Sequence, residues 1–215
     1  GGALCVLWLV VLALWAFGLI SSIYLRVLRF VAPLASGSFP AGHVNLAVWK
    51  HAAAIRLMAL HALAPFFPVF LRALMYRLFG ARIGANVIVG GVLGDPELTE
   101  IGDGAVLGHN SCVVAHAINA DRIILLPVRI GRGATVGIHA VVMPGSEIGD
   151  GAVVAPGAVV TLNTRIGAGE FWGGIPARCI RTGMDRAVPA EENATNPVAV
   201  AMPVIDGRFE DLKVT

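Results

Sequence analysis

The chain has 215 residues, of which 56% are hydrophobic and only 14% are charged. This length suits one compact domain with an appendage, and the composition departs from that of soluble proteins toward that of membrane proteins. A net charge of +2 and three scattered cysteines argue against a strongly basic nucleic-acid binder, a disulfide framework and a CxxC metal site.

Charge divides the chain into two parts. Residues 1–94 contain seven basic and no acidic side chains, whereas the remainder contains nine basic and fourteen acidic ones. The basic residues of the first part are spaced widely among apolar ones, without the cluster that is typical of nucleic-acid binding. A basic and apolar segment of this kind suits the anionic cytoplasmic face of a bilayer.

The first predicted element is a transmembrane helix over about residues 3–24. Leu4 to Tyr24 contains no charge, and about 20 helical residues cross the roughly 30 Å hydrocarbon core of a bilayer. Arg26 and Arg29 follow at once, which places this end of the helix in the cytoplasm. A signal peptide is the alternative, but the segment lacks a basic start and an A-x-A cleavage site.

A loop is predicted over residues 37–44, and interfacial or re-entrant helices are predicted over about residues 45–79. The most apolar part of this stretch is short for a membrane span and is broken by Pro65 and Pro68. A tilted second span that starts near Leu46 is the alternative. The predicted organisation is therefore a membrane-associated helical region (1–80), a second domain (81–181) and a C-terminal tail (182–215).

From Ile83 onward a six-residue period replaces the long apolar runs. Every sixth residue is large and apolar at eight successive positions: Ile130, Val136, Val142, Ile148, Val154, Val160, Ile166 and Trp172. An earlier block keeps the same pattern, with Asp95 as the one failure: Ile83, Val89, Ile101, Leu107 and Val113. Small residues recur four places after these positions and Gly often recurs one place after them. Such repetition predicts a solenoid of triangular coils, about 18 residues each, with the aliphatic side chains stacked inward.

The two blocks are out of phase, because Val113 and Ile130 are 17 residues apart instead of 18. The shift predicts that roughly Ala117 to Arg129 leaves the coil as a loop at one corner. This loop contains Ile123 to Leu126, apolar side chains that a solvated loop would avoid. We expect it to pack on a neighbouring subunit, on the membrane or over a bound substrate.

The repeats, the break that follows a His and the closing segment Trp172–Arg181 resemble the hexapeptide-repeat acyltransferases over Arg82–Arg181. The resemblance implies a mainly β fold, a left-handed parallel β-helix, assembled as a homotrimer with active sites between subunits. It also implies acyl transfer from acyl-CoA, with acetyl-CoA the expected donor and no metal expected. A narrower resemblance, to the membrane-linked terminal modules of nonribosomal-peptide-synthetase-like proteins, rests on Tyr76–Gly84, Asp121-Arg122 and Val128–Gly131.

His116 is the predicted general base, because it falls just before the break, where the family has its catalytic His. An imidazole suits the removal of a proton from a hydroxyl or amine acceptor as the acceptor attacks a thioester. A solvent-facing His at a loop edge is the alternative. An acidic partner is expected for His116, with Asp121 and Glu100 as candidates. His109 and Asp121 are predicted to bind the acceptor.

The later coils are predicted to bind acyl-CoA. Small residues on their outer wall or corners would let a pantetheine arm approach the backbone, and two arginines would bind the CoA phosphates. These predicted cofactor-binding residues are Gly137, Ala155, Thr161, Gly173, Arg178 and Arg181. The expected acceptor is lipid-linked, a glycan or a peptide at the cytoplasmic membrane face, and no nucleic-acid partner is expected.

Two other functions fit the same solenoid. A zinc-dependent carbonic anhydrase of the γ class needs three His that meet across a subunit interface, and His109, His116 and His139 are available. However, the close pair of that class has a shorter spacing than the six residues between His109 and His116. A non-catalytic trimeric scaffold is the other alternative, since a fold does not guarantee an activity.

Overall fold

Three α-helices open the chain in the computed structural model, which describes residues 2–40 and 42–182. They are α1 (Gly2–Val31), α2 (Val44–Leu63) and α3 (Arg72–Leu78), with short 3-10 turns at Ala64–Phe66 and Val69–Leu71. Helix α1 ends before Pro33, whose ring disfavours helical backbone at the preceding residue. His43 caps α2, because its Nδ1 accepts the backbone N–H of Asn45 at 3.1 Å. The predicted tail lies outside the described residues, apart from Thr182.

The rest of the described chain is built from short strands. In chain order they are β1 (Gly37–Pro40), β2 (Arg82–Ile83), β3 (Ile88–Val89), β4 (Val92–Leu93), β5 (Thr99–Ile101), β6 (Val106–Leu107), β7 (Cys112–Val113), β8 (His116–Ile118), β9 (Arg122–Leu125), β10 (Val128–Ile130), β11 (Thr135–Val136), β12 (Val141–Val142), β13 (Glu147–Ile148), β14 (Val153–Val154), β15 (Val159–Val160), β16 (Arg165–Ile166), β17 (Phe171–Gly173) and β18 (Arg178–Arg181). A further 3-10 turn spans Pro96–Leu98.

Most of these strands form the three faces of a parallel β-helix. The first face has the order β16-β13-β10-β5-β2, the second β17-β14-β11-β6-β3 and the third β15-β12-β7-β4. Strands pair in register one coil apart, as Val136 does with Val154, and β18 closes the last coil antiparallel to β17. The predicted ladder from Ile130 to Ile166 is buried throughout. The prediction of a mainly β hexapeptide-repeat fold with parallel sheets is therefore confirmed.

The first coil departs from the ladder at Asp95. Leu93 takes the inward position of the third face, where it pairs with Val113 of the next coil. The 3-10 turn at Pro96–Leu98 then brings the chain back into phase at Ile101. Asp95 consequently lies at the corner that follows the third face, where its side chain is completely buried.

The segment after His116 that was predicted as a loop forms a β-hairpin. Strand β8 pairs antiparallel with β9, and β9 pairs antiparallel with β1. The strand alternation puts Ile123 and Leu125 on one face, where both are fully buried against Leu46 and Trp49 of α2. For Ile123 and Leu125, the expectation that the apolar side chains of this segment cover another subunit, a membrane or a substrate is therefore wrong. The loop prediction for residues 37–44 is also wrong at Gly37–Pro40, because this segment supplies the edge strand β1.

Helix α1 packs against α2 and the end of α3. Gly18 permits close approach, since a Cβ at this position would lie 2.5 Å from Leu63 Cδ1. Ser22 Oγ donates a hydrogen bond of 2.7 Å to the carbonyl of Leu78. Among the described residues, α1 is the one helix that is long and apolar enough to cross a membrane, with 6% of its most apolar window buried.

Candidate functional site

A buried carboxylate organises the corner that holds His116. Asp95 Oδ1 accepts hydrogen bonds from Trp49 Nε1 (3.0 Å) and Arg56 Nη2 (2.9 Å). Its Oδ2 accepts hydrogen bonds from the Ala115 backbone N–H (3.0 Å) and from His116 Nδ1 (2.6 Å). Two of these donors come from α2 and two from the β-helix, so Asp95 joins the two parts of the molecule.

The surroundings of Asp95 hold it ionised. Burial opposes ionisation, but the hydrogen bonds from His116 and Trp49 and the charge of Arg56 together bring the pKa of Asp95 below its ordinary value. An ionised carboxylate can only accept hydrogen bonds, so His116 Nδ1 must be the donor and must be protonated. The lone pair of a neutral His116 therefore lies on Nε2, which is the arrangement that a general base requires.

Arg56 joins a second carboxyl group to this cluster. Its guanidinium is almost fully buried and contacts both Asp95 Oδ1 and Glu97 Oε1, the latter at 2.5 Å. Burial raises the pKa of Glu97, although the positive charge of Arg56 opposes this shift. One guanidinium thus contacts two acidic side chains and links Glu97 to the Asp95–His116 pair.

Trp49 fixes the orientation of the imidazole from the side of α2. The centroids of the Trp49 and His116 rings are 4.5 Å apart and the ring planes are tilted by 51°. Trp49 belongs to a buried stripe of α2 with helical spacing, which also delivers Arg56 to the same corner. The members of this stripe are Leu46, Trp49, Ala52, Arg56, Ala59 and Leu63.

A cavity of about 340 Å³ lies beside His116, between α2, α3 and the first coil. The side chain of His116 is 28% exposed, so its imidazole can be reached although Asp95 cannot. The apolar residues that line the cavity are Ala53, Leu57, Leu60, Ala64, Met75, Val92 and Leu93. The polar or aromatic ones are Trp49, Arg56, His61, Arg72, Tyr76 and His116.

The two acidic residues that the sequence offered as partners of His116 lie elsewhere. Asp121 is exposed in the turn of the β8–β9 hairpin. Glu100 lies on the first face, where it pairs with Arg82 at 2.6 Å. Asp95 is the partner instead, so both candidates were wrong. Its signal was present in the sequence, because Asp95 was the single residue that broke the hexapeptide ladder.

Trp49 and Arg56 were not predicted as site residues. Both were part of a stretch that was interpreted as interfacial helix. A basic side chain on an otherwise apolar helical stripe requires a buried anionic partner, and this rule would have indicated Arg56. No comparable signal marked Trp49, whose indole is one of several aromatic groups in this region.

The predicted acceptor-binding residues do not converge on His116 within the described chain. His109 lies at the corner that follows the second face, and its ring centroid is 6.4 Å from that of His139. The backbone N–H of His139 donates to the carbonyl of His109 (3.0 Å). Asp121 lies in the hairpin that leaves the β-helix after the third face.

The predicted cofactor residues divide between two corners and the last strand. Gly137, Ala155 and Gly173 form a column at the corner after the second face, and a Cβ on Gly137 would lie 2.5 Å from Pro156 N. Thr161 lies at the corner after the third face, as His116 does, and its Oγ1 is 3.1 Å from Thr164 Oγ1. The two arginines, Arg178 and Arg181, are exposed on β18.

Comparison with known proteins connects the β-helix to transferases and to carbonic anhydrases. Residues 127–161 match the family model described as bacterial transferase hexapeptide (six repeats). Mitochondrial gamma carbonic anhydrase 2 of Arabidopsis thaliana is 33% identical over 90 residues, which cover 42% of this chain and 28% of that protein. Mitochondrial gamma carbonic anhydrase 1 of the same plant is 33% identical over 99 residues, which cover 46% of this chain and 32% of that protein. The chain thus spans less than a third of the length of these curated relatives.

Two solved structures share the fold. A galactoside acetyltransferase in complex with coenzyme A has a TM-score of 0.52 at 20% identity, covering 69% of this chain and 88% of that one. A hexapeptide-repeat acetyltransferase of Vibrio cholerae has a TM-score of 0.50 at 19% identity, covering 69% of this chain and 97% of that one. At this level of identity the likeness concerns the fold, and it agrees with the parallel β-helix described above.

Proposed function

We propose that the protein is an acyltransferase that moves an acyl group, with acetyl as the expected group, from CoA to a hydroxyl or amine acceptor. The observation that carries this proposal is the hydrogen bond between His116 Nδ1 and the buried Asp95 carboxylate, which leaves Nε2 free beside a cavity. A base that is oriented by a carboxylate is what acyl transfer to a weakly acidic group requires. The hexapeptide transferase match over residues 127–161 supports the same class of reaction.

In the proposed reaction, His116 Nε2 takes the proton of the acceptor as its oxygen or nitrogen attacks the thioester carbonyl. A C–O or C–N bond forms, the C–S bond breaks, and the leaving CoA thiolate takes the proton back from the imidazolium. Asp95 keeps Nδ1–H in place and stabilises the imidazolium while it exists. Because a thioester is already activated, a covalent intermediate on the protein is unnecessary.

The binding of acyl-CoA and the assembly state belong to the same proposal. The column of Gly137, Ala155 and Gly173 and the exposed Arg178 and Arg181 remain the proposed contacts of the pantetheine arm and the phosphates. The column and His116 lie at different corners of the β-helix. In a homotrimer with active sites between subunits, one chain would supply His116 as the base and the neighbouring chain would supply the column that binds acyl-CoA. The left-handed sense of the coil and the narrower resemblance to membrane-linked terminal modules stay predictions.

Membrane attachment is the final part of the proposal. The length and apolar surface of α1 support a membrane span, and Arg26 and Arg29 at its end support a cytoplasmic β-helix. The acceptor is then a lipid-linked, glycan or peptide compound that reaches the cytoplasmic face.

The test is the substitution His116→Ala. We expect turnover to fall about 100-fold to 10,000-fold, because a positioned general base contributes this much. CoA release from acetyl-CoA with a panel of alcohols and amines measures turnover, and light scattering in detergent measures the assembly. His51→Ala, an exposed His of α2 that does not line the cavity, is the control and should retain activity. Undiminished turnover in His116→Ala would refute the role of His116, and a wild-type protein inert with every acceptor would favour the scaffold alternative.

The matches to gamma carbonic anhydrases favour a second candidate, a zinc-dependent hydration activity. His109 and His139 are the imidazoles that lie near one another, but the described residues of one chain bring no third His, Cys, Asp or Glu to them. These residues therefore do not fit a three-ligand zinc site within a single chain. Zinc content of the purified protein decides between the two: about one zinc per chain supports the second candidate, and a zinc-free protein that hydrates no CO₂ removes it.

A further inference from the structure

The cavity beside His116 is larger than the proposed chemistry needs. A hydroxyl or amine and an acetyl group occupy only the space next to Nε2, whereas the cavity measures about 340 Å³ and extends along α2 and α3. Its walls consist mainly of carbon, with Ala53, Leu60 and Met75 among the lining residues. A cavity of this lining favours an apolar occupant over water or a sugar.

Part of the cavity lining consists of apolar side chains that are also exposed. Two of its lining side chains, Leu57 (59% exposed) and Val92 (53% exposed), reach the outside of the chain. Phe70 and Leu74, which belong to the adjoining turn and to α3, are also largely exposed. Exposed apolar side chains on and beside a cavity lining favour contact with an apolar phase, and the helix fit to cross a membrane packs against α2, which lines the cavity.

We propose that the cavity holds the hydrocarbon chain of the acceptor, and that the acceptor is therefore an amphiphilic long-chain alcohol or amine. This inference rests on the proposed function, because a general base must lie within hydrogen-bond reach of the group that it deprotonates. The acceptor head then lies against His116 Nε2, and the cavity that begins at this imidazole receives the chain attached to that head. The chain enters from the apolar surface near Leu57 and Val92.

The size of the cavity sets the expected chain length. A cavity of about 340 Å³ has room for several methylene groups in sequence. Each methylene that leaves water favours binding about fourfold. We therefore expect kcat/KM to rise about fourfold per added carbon and to level off once the chain fills the cavity.

The experiment uses acetyl-CoA with homologous straight-chain primary amines and alcohols, and the full chain in detergent. The key variant is Ala53→Phe, which puts a ring into the cavity, and its matched control is Ala54→Phe on the exposed side of the same helix. Ala53→Phe should move the plateau to shorter chains and lower kcat/KM for the longest acceptors at least about tenfold more than for the shortest ones. Ala54→Phe should behave as wild type. If Ala53→Phe does not fold, Leu57→Trp at the cavity mouth replaces it.

Other outcomes overturn the proposal. Equal kcat/KM for short and long acceptors, or equal effects of the two Phe variants, would show that the cavity does not hold the acceptor chain. A chain-length preference that appears with long acyl-CoA donors and not with acceptors would assign the cavity to the donor.

A binding readout separates this inference from the proposed function. A long-chain primary alcohol with a terminal diazirine should label residues of α2 and α3 on illumination, and Ala53→Phe should reduce this labelling while Ala54→Phe should not. Labelling without any CoA release would support a chain-binding cavity and refute acyl transfer. CoA release without labelling of α2 or α3 would support the transferase and refute the cavity's role.

Discussion

Asp95 is the residue on which the candidate site depends. Its carboxylate accepts hydrogen bonds from four donors, and it has no exposed surface. Such a group costs folding free energy unless it is fully paired, so its presence at an inward-facing corner calls for a role that an aliphatic residue could not fill. Orientation of His116 supplies that role.

The pH dependence of stability gives a prediction for Asp95→Asn. The folded-state pKa of Asp95 is lowered, so the ionised group stabilises the fold above its unfolded pKa of about 3.9 and loses this effect as pH falls through the lower folded pKa. We expect Asp95→Asn to be less stable than wild type by about 1–3 kcal/mol near neutral pH. The difference should shrink below about pH 4.

Urea unfolding in detergent at several pH values measures this difference. Asp121→Asn is the control, because Asp121 is exposed in the hairpin turn and should leave the midpoint unchanged. A difference for Asp95→Asn that stays constant down to acid pH would contradict the assignment of an ionised, stabilising Asp95.

At the scale of elements, α2 is the part of the chain that completes the site. Its buried stripe brings Trp49 and Arg56 to Asp95, and the hairpin β8–β9 packs on the first half of the same helix through Ile123 and Leu125. The β-helix supplies Asp95 and His116 but only two of the four donors to the carboxylate. A β-helix without α2 would leave Asp95 partly unpaired.

Arg56→Gln tests this dependence on α2. The substitution leaves Asp95 and Glu97 without their buried cation, and breaking such a pair costs about 3–5 kcal/mol. Arg82→Gln is the matched control: its pair with Glu100 is also short, at 2.6 Å, but lies at the surface, where a pair contributes about 0–1 kcal/mol. Denaturant unfolding of both variants measures the effects. Similar losses for the two variants would show that the buried network contributes no more than a surface pair.

At the scale of the whole molecule, α1 carries the proposal that the site lies at a membrane. Most of its apolar side chains are exposed in the single chain, and its last turns are held against the end of α3 through Ser22. If α1 spans a bilayer, the attached α2 and α3 must lie close to that bilayer. The apolar mouth of the cavity then opens near the membrane surface.

Leu12→Arg tests the membrane span. Leu12 is exposed in the middle of α1, and an arginine at the centre of a span costs about 2.5–3.5 kcal/mol of insertion free energy. We expect a smaller fraction of Leu12→Arg to stay with membranes after alkaline carbonate extraction. Ile118→Arg, at an exposed position of the hairpin, should not change the fraction. Equal retention of all three proteins would contradict insertion of α1.

The amino-acid sequence by itself determined the β-helix, because a six-residue repeat of aliphatic residues has few other ways to bury them. It also indicated His116 as a residue of interest, because the repeat breaks immediately after it. Both features depend on spacing along the chain.

Only the tertiary structure decided the partner of His116 and the use of the N-terminal helices. Asp95 is 21 residues from His116 and Arg56 is 60 residues away, and no local pattern relates them. Their contact depends on the shift of the inward position from residue 95 to Leu93, on the hairpin after His116 and on the docking of α2, all of which arise from packing between distant segments. The sequence identified the β-helix through its repeats, and packing between elements that do not repeat created the candidate site.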